Sequence, residues 1–396
     1  MRFLTLVYEK DREKEYLNSS KVALQVADNV LQWNLAQGLL ENLGAEAWEL
    51  VNSVPMGSWP KANRQILFPT EQRRYQGVRL QNIGFWNLPL LKPVSRFFSY
   101  VRLLGQKHPH SDKVLLYGLY LPQLLALRWV KKRHPLDVCV IIDDLPAQFG
   151  IVTGNRLKVF LKTWLGKRVL ALLNDPKTVD RFVLLSEHMT DALELQGRPY
   201  CVVEGVANPV ALEEAAPQDK KIIFYAGTLN KQFGILTLLE AFRQIESEEY
   251  ALWICGDGDA RGQVEAAAEK DSRIRYYGFV GKGEADRLRN MATVLVNPRS
   301  NEGAYTRYSF PSKTIEYLLA EKPVVMYRLD GIPADYDPWL YYIPENTPES
   351  MAKLLQQVCE SDPETRRAHA QQARQWVISH KNPTAQTKKI LDLFDK

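Results

Sequence analysis

Lys313 and Glu316 stand three residues apart in the segment Asn297-Pro-Arg-Ser-Asn-Glu-Gly-Ala-Tyr-Thr-Arg-Tyr-Ser-Phe-Pro-Ser-Lys-Thr-Ile-Glu-Tyr-Leu-Leu-Ala-Glu-Lys-Pro-Val-Val. On a helix that spacing sets the two side chains next to each other. Pro311 falls where the first turn of this helix is expected, since a proline there has no useful N–H to lose. A helix N-terminus offers unpaired N–H groups and the positive end of a dipole, which suits a diphosphate. Lys313 would add a full charge, and the Glu316 carboxylate could accept hydrogen bonds from the two hydroxyls of a ribose. An ordinary surface i, i+3 ion pair, worth well under ~1 kcal/mol, is the competing reading of the same residues. The polar loop from Arg299 through Glu302 to Arg307, and the apolar Pro323-Val324-Val325 run beyond the helix, favour a ligand site.

A second candidate is Phe224-Tyr-Ala-Gly-Thr-Leu-Asn-Lys-Gln-Phe-Gly-Ile-Leu-Thr-Leu-Leu-Glu-Ala-Phe: a strand, a loop and an amphipathic helix. Gly227 and Gly234 let backbone approach a ligand closely. Lys231 could reach a phosphate, or be a solvated lysine of a βα turn. Gly256-Asp-Gly-Asp-Ala-Arg-Gly also follows a strand, but its third glycine is one place late for a dinucleotide fingerprint. The next strand, Arg273 to Tyr277, also ends without a ribose-binding acid, so NAD is not expected. Asp257 and Asp259 read as polar tips of that turn. The six histidines and four cysteines lack metal-ligand or C-x-x-C spacing, and no zinc site or disulfide framework is expected. No G-x-S-x-G elbow or P-loop is present.

The elements that must position these residues alternate along the chain as βα units do. Strands are expected at Arg2 to Tyr8, Ala47 to Val51, Val114 to Tyr117, Val138 to Ile142, Arg181 to Leu185 and Tyr200 to Val203. A second series runs through Lys221 to Tyr225, Ala251 to Cys255, Ile274 to Tyr277, Val294 to Asn297 and Val324 to Tyr327. Helices are expected at Leu24 to Leu43, Leu121 to Arg133, Ile235 to Ile245, Gly262 to Glu269, Glu284 to Met291, Pro311 to Ala320 and Ser350 to Glu360. The fold class is therefore α/β, with two doubly wound, Rossmann-like domains facing a central cleft. The expected limits are 1–207 for the first domain, 208–219 for a Pro-bearing linker and 220–362 for the second domain. A helical tail over 363–396 is expected to pack across both. A length of 396 residues suits two domains.

Composition narrows the function. Lys and Arg exceed Asp and Glu by 51 to 46, too little to argue for nucleic acid but enough to suit anionic small molecules or lipid. The N-terminus turns charged after one short apolar run, unlike a secretory signal, and no stretch is long enough to span a bilayer, so a cytoplasmic protein is expected. Asn155 to Leu173 places Arg156, Lys158, Lys162, Lys167 and Arg168 among Phe160, Trp164 and leucines. Such a helix fits either an anionic lipid surface or an ordinary packed element with a basic face.

Most of the chain, most strongly from Phe224 to Tyr327, resembles the GT-B fold glycosyltransferases of family 4, especially those building bacterial capsule, exopolysaccharide or O-antigen chains. The resemblance rests on Tyr225-Ala-Gly-Thr-Leu with Gly234-Ile-Leu, Trp253-Ile-Cys-Gly-Asp-Gly, Pro311-Ser-Lys-Thr-Ile-Glu-Tyr-Leu and Lys322-Pro-Val-Val. Ile142-Asp-Asp-Leu-Pro and Asp180-Arg-Phe-Val-Leu-Leu-Ser-Glu-His-Met agree more loosely. It implies retaining, metal-independent transfer from a nucleotide diphosphate sugar, UDP being the expected base, to a glycan acceptor carried on a polyprenyl lipid. It gives catalytic roles to Lys313, Arg299, Asp143 and Asp144. Glu316, Ser312, Lys231, Gly227, Thr228, Gly256, Glu302 and Arg307 would then contact the nucleotide sugar. The family often has Arg after the first loop glycine and Lys before the second, where this chain has Thr228 and Phe233. It also has a glutamate eight places before Glu316, where Tyr308 stands. A GT-B-shaped subunit without turnover is the alternative that these departures leave open.

Overall fold

The computed structural model describes the whole chain except residues 23, 25, 107–111, 146–155, 196, 210, 213–217 and 303. It divides into two compact units, Met1–Val206 with Asn382–Lys396, and Ala207–Lys381. The tail is thus shared: helix Pro363–His380 belongs to the second unit and helix Pro383–Leu393 to the first. Asn382 caps the latter by accepting from the Ala385 N–H (2.7 Å), and Pro383 fills its first position.

In the first unit the strands are β1 (Arg2–Thr5), β2 (Glu49–Asn52), β3 (Leu67–Phe68), β4 (Glu71–Tyr75), β5 (Val78–Asn82), β6 (Phe85–Trp86), β7 (Lys113–Tyr117), β8 (Asp137–Ile142), β9 (Arg181–Leu184) and β10 (Tyr200–Val202). Eight of them form one sheet in the order β10-β9-β8-β7-β1-β2-β5-β4, parallel except at β4–β5, while β3 and β6 pair apart. The apolar residues of β7, β8 and β9 are buried on both faces, as continuous runs in parallel sheets must be.

Three features differ from expectation. β1 stops at Thr5, not Tyr8, because side-chain amides replace strand partners from Leu6 onward. Leu6 N–H donates to Gln32 Oε1 (2.8 Å), Val7 N–H to Asn52 Oδ1 (2.8 Å) and Tyr8 N–H to Asn29 Oδ1 (2.9 Å). The β4–β5 hairpin was not foreseen: Gln76 and Gly77 both take positive φ (+49° and +79°), as a two-residue hairpin turn requires, but Gln is not the usual residue there. Helix Leu91–Leu104 was also unassigned.

Helix Pro383–Leu393 packs on helix Val26–Leu43, far away in sequence. Gly38 makes this possible, because a Cβ there would sit 2.1 Å from the Pro383 carbonyl oxygen. Ile390, Leu393 and Phe394 join the core that holds Phe3, Leu50 and Leu115.

The second unit holds β11 (Lys221–Ala226), β12 (Tyr250–Cys255), β13 (Ile274–Tyr276), β14 (Val294–Asn297), β15 (Val324–Met326) and β16 (Tyr341–Tyr342). They form a six-stranded, fully parallel sheet in the order β13-β12-β11-β14-β15-β16. Helices Ile235–Arg243, Arg261–Lys270, Lys282–Met291, Lys313–Leu319 and Pro348–Glu360 lie between and after these strands. β16 was not foreseen, being two residues long. No described helix is long and apolar enough to cross a membrane.

Replacing Leu393 by Ala is expected to lower stability by about 2–4 kcal/mol through lost burial in the first unit's core. Denaturant unfolding, followed with parallel limited proteolysis, should assign the loss to residues 1–206. A loss confined to the second unit would contradict the shared tail.

Candidate functional site

The loops after β11, β12 and β14 meet at the carboxyl ends of their strands through contacts that only glycine allows. Gly227 N–H donates to the Cys255 carbonyl (3.0 Å) and Leu229 N–H to the Asp257 carbonyl (3.0 Å). Gly256 has φ +137°, and a Cβ on it would lie 1.8 Å from the Gly227 oxygen. Its carbonyl accepts from the Tyr276 hydroxyl (2.8 Å). Gly234, at φ +79°, would put a Cβ 2.0 Å from the Pro298 oxygen. The three loops are thereby stacked at backbone contact distance.

Helix Lys313–Leu319 docks on this stack through Tyr317, whose hydroxyl accepts from Ala226 N–H (3.1 Å) and donates to Ala226 O (3.3 Å). The helix starts two residues later than the expected Pro311. Thr314 N–H closes a tight turn onto the Pro311 carbonyl (2.9 Å), and Ser312 precedes the helix without a side-chain capping bond. From its first position Lys313 crosses directly over Gly227: a Cβ at 227 would be 2.8 Å from Lys313 Cε and 2.7 Å from the Tyr225 hydroxyl. Burial lowers the Lys313 pKa; Glu316 opposes that effect and Arg289 adds to it.

Lys313 lines a cavity of about 200 Å³ with Tyr225, Thr228, Phe233, Asn297, Arg299, Phe310, Pro311 and Ser312. Arg299 donates from Nη2 to Ser309 Oγ (3.2 Å), and its guanidinium lies 5.4 Å from the Phe233 ring centre. Two cations, the hydroxyls of Tyr225, Thr228 and Ser312 and the Asn297 amide thus share the cavity with aromatic rings, a combination that can seat an anion beside a flat apolar group.

The remaining sequence candidates take other places. Glu316 is exposed, within electrostatic reach of Lys313. Gly227 and Gly256 form the loop crossing beneath Lys313. Lys231 is exposed and turned to helix Arg261–Lys270, its Nζ lying 3.2 Å from the Gln263 side-chain amide, while its backbone N–H donates to Asp259 Oδ1 (2.9 Å). Asp259 is therefore part of the turn's own bonding. Glu302 is exposed and accepts from Asn346 Nδ2 (2.6 Å); Arg307 lies 5.4 Å over the Tyr308 ring. The sequence reading missed Arg289, which helix Lys282–Met291 brings into the field of Lys313. Nothing in the pattern of that polar helix singles it out.

In the first unit, Asp143 and Asp144 follow the end of β8, and Asp144 Oδ1 accepts from Leu145 N–H (2.9 Å). Burial, followed by the charge of Asp28, pushes Asp143 up to about 6. Asp28 is itself raised by burial and by Asp144. The Tyr117 hydroxyl, at the end of β7, is also raised, by burial and then by Asp143 and Asp28. Asp28 is a second residue missed in the sequence, since it opens a helix more than a hundred residues earlier. It joins the pair only because β1 lies next to β7 and β7 next to β8.

Residues 212–376 match the family model of the Glycosyl transferases group 1, so the second unit carries a domain of that kind. The probable glycosyltransferase WbjE of Pseudomonas aeruginosa is 25% identical over 195 residues, 46% of this chain and 48% of that protein. The chain therefore matches about half the length of this curated relative. Sucrose-phosphate synthase from Thermosynechococcus elongatus superposes with a TM-score of 0.64 at 12% identity, over 100% of this chain and 98% of that one. An E. coli trehalose-6-phosphate structure bound with UDP-2-fluoro glucose gives 0.62 at 11%, over 100% and 99%. S. aureus TarM in complex with UDP gives 0.54 at 13%, over 79% and 60%. These likenesses establish the fold as α/β with parallel sheets, of the GT-B type.

A raised folded-state pKa means that the native state holds the Asp143 proton more tightly than the unfolded chain. Stability from this residue is greatest below about pH 4, falls as pH rises to about 6 and is constant above, the deficit at neutral pH being on the order of 3 kcal/mol. Asp143→Asn is expected to be more stable than the parent at pH 7.5, with the gap closing by pH 4. Urea unfolding at the two pH values measures this, and an equal gap at both would show that Asp143 is not raised.

Proposed function

We propose that the protein is a retaining, metal-independent glycosyltransferase that moves a sugar from a nucleotide diphosphate sugar, with UDP the first base to test, to a lipid-linked glycan in surface polysaccharide synthesis. The observation that carries this reading is the half-buried Lys313 laid across Gly227, beside Arg299 and Ser312 at the rim of one cavity. A fixed cation in a desolvated site is worth most where negative charge develops, here on the departing diphosphate. In the reaction the bond from the anomeric carbon to the β-phosphate oxygen breaks, its electron pair leaving with the phosphate. The acceptor hydroxyl bonds to that carbon on the same face and passes its proton to the leaving phosphate oxygen. Lys313 and Arg299 would stabilise the phosphate. Glu316 would hold the ribose, with Ser312, Gly227, Thr228 and Gly256 lining the donor path. Lys231, Glu302 and Arg307 would reach the donor's periphery. The first unit is assigned the acceptor, oriented by Asp143 and Asp144.

The match to a group 1 glycosyl transferase domain and the likeness to structures bound with UDP ligands support this reading. Phe233, where related enzymes often place Lys, holds Arg299 over its ring, which returns a cation to that side of the cavity. The same substitution, with Thr228, favours the second reading, a subunit that binds nucleotide without turnover.

A nucleoside diphosphate at about 100 times its Kd should add roughly 2.7 kcal/mol of stability, with no change on adding chelator. UDP, GDP, ADP and dTDP are to be compared by thermal unfolding; no shift with any would remove the donor site. Lys313→Ala should lower turnover about 10²- to 10³-fold at saturating donor, by analogy with loss of one oxyanion donor. Glu316→Ala should mainly weaken nucleotide binding, read by calorimetric titration. Binding without transfer to any lipid-linked acceptor would decide for the second reading.

A further inference from the structure

Three neighbouring helices of the first unit each expose apolar side chains. Helix Leu91–Leu104 presents Leu91, Val94 and Phe98, at i, i+3 and i+7, with Leu90 just before it 86% exposed. Helix Leu121–Lys131 presents Leu125 and Trp129, and helix Arg156–Leu173 presents Phe160 and Trp164, each pair at i, i+4. The first helix packs on the second and the second on the third, and Phe97 meets Trp129 edge-on at 6.4 Å, which joins the first two stripes, with the third helix beside them. Patches of this kind on a soluble fold mark interaction sites.

The three helices carry charge of one sign. Residues 91–104, 121–133 and 156–173 hold three, four and five Lys or Arg respectively and no Asp or Glu, in a chain whose totals are nearly balanced. Several of these cations are engaged inward: Arg96 donates to the Val54 carbonyl (2.6 Å), and Arg128 and Lys131 pair with Asp175 and Asp180. Lys132 and Arg133 instead lie over the exposed Trp129 ring, at 6.0 and 5.1 Å, and Arg168 over Trp164 at 5.3 Å.

We infer that this three-helix face docks on an anionic lipid bilayer, with Phe98, Trp129, Phe160 and Trp164 entering the headgroup boundary and Lys132, Arg133 and Arg168 meeting anionic headgroups. Indole rings flanked by cations suit that boundary, where an amphipathic ring and a charged head each find a partner. A symmetric contact between two copies would set this basic surface against itself, which charge repulsion disfavours. The inference stands on the surface and does not require the transferase reading.

The test uses the full chain and sedimentation with extruded vesicles of phosphatidylcholine containing about one-third phosphatidylglycerol. Binding is expected at low salt and should weaken about tenfold or more in high salt or with phosphatidylcholine alone. The variant Phe98→Ser/Trp129→Ser/Trp164→Ser and, separately, Lys132→Glu/Arg133→Glu/Arg168→Glu should each partition at least about tenfold less, with unchanged thermal unfolding. The proposal is overturned if the parent protein does not bind the anionic vesicles, or if both variants bind as it does. It is equally overturned if light scattering shows a two-copy mass that the serine variant reduces to one. Vesicle binding by a protein that no nucleoside diphosphate stabilises would leave this inference intact and remove the donor site instead.

Discussion

The second unit is organised around a backbone contact that no side chain can enter. Where the loops after β11 and β12 cross, Gly256 rests against the Gly227 carbonyl, and Gly234 does the same against Pro298 in the loop after β14. These contacts lock three strand ends into one surface, and helix Lys313–Leu319 is then hung on it by the Tyr317 hydroxyl and the Ala226 peptide. The absent side chain at Gly227 is the space that the Lys313 stem occupies. Placement of the cation therefore follows from what the glycines lack, and the partial burial that depresses its pKa follows from the placement.

The first unit solves a different problem, that of holding carboxylates at the end of a parallel sheet. Glu9 is fully buried, yet its oxygens accept from Tyr16 (2.8 Å) and Asn82 (3.0 Å), and Asn82 is in turn bonded to Asn52 (2.7 Å). That network is satisfied, as buried polar groups generally are. Asp143 is placed otherwise: burial and the neighbouring Asp28 both raise its pKa. A carboxyl group held against its own ionisation is a common mark of a site that does work. The acceptor role proposed for Asp143 draws on this asymmetry between the two acids.

The exposed stripes on helices Leu91–Leu104, Leu121–Lys131 and Arg156–Leu173 illustrate a limit of periodicity. A helix between a sheet and solvent shows one apolar face, which is what i, i+3, i+4 spacing detects. These helices bury one face and expose further apolar residues on the other. Trp129 therefore reads along the chain as ordinary core, and only its exposure identifies it. The basic residues around the stripes were visible in sequence, in Asn155 to Leu173 and also in Lys131-Lys132-Arg133 and Arg96-Phe97-Phe98.

The sequence alone determined the alternation of strands and helices, because continuous Val, Ile and Leu runs such as Val138 to Ile142 have few ways to be buried other than a parallel sheet. It also picked out the strand–loop–helix segments around Gly227 and Lys313, whose glycine, proline and charge spacing are local signals. Elements resting on non-local bonds escaped it: the end of β1, set by Gln32, Asn29 and Asn52, the Gln76-Gly77 turn, and the two-residue β16. Only the tertiary structure decided that Arg289 and Asp28 enter the fields of Lys313 and Asp143, that Lys231 faces Gln263, and that the final helix completes the first unit's core. Each of these depends on which strands lie side by side, and strand order is fixed by packing between residues far apart in the chain, where sequence spacing carries no information.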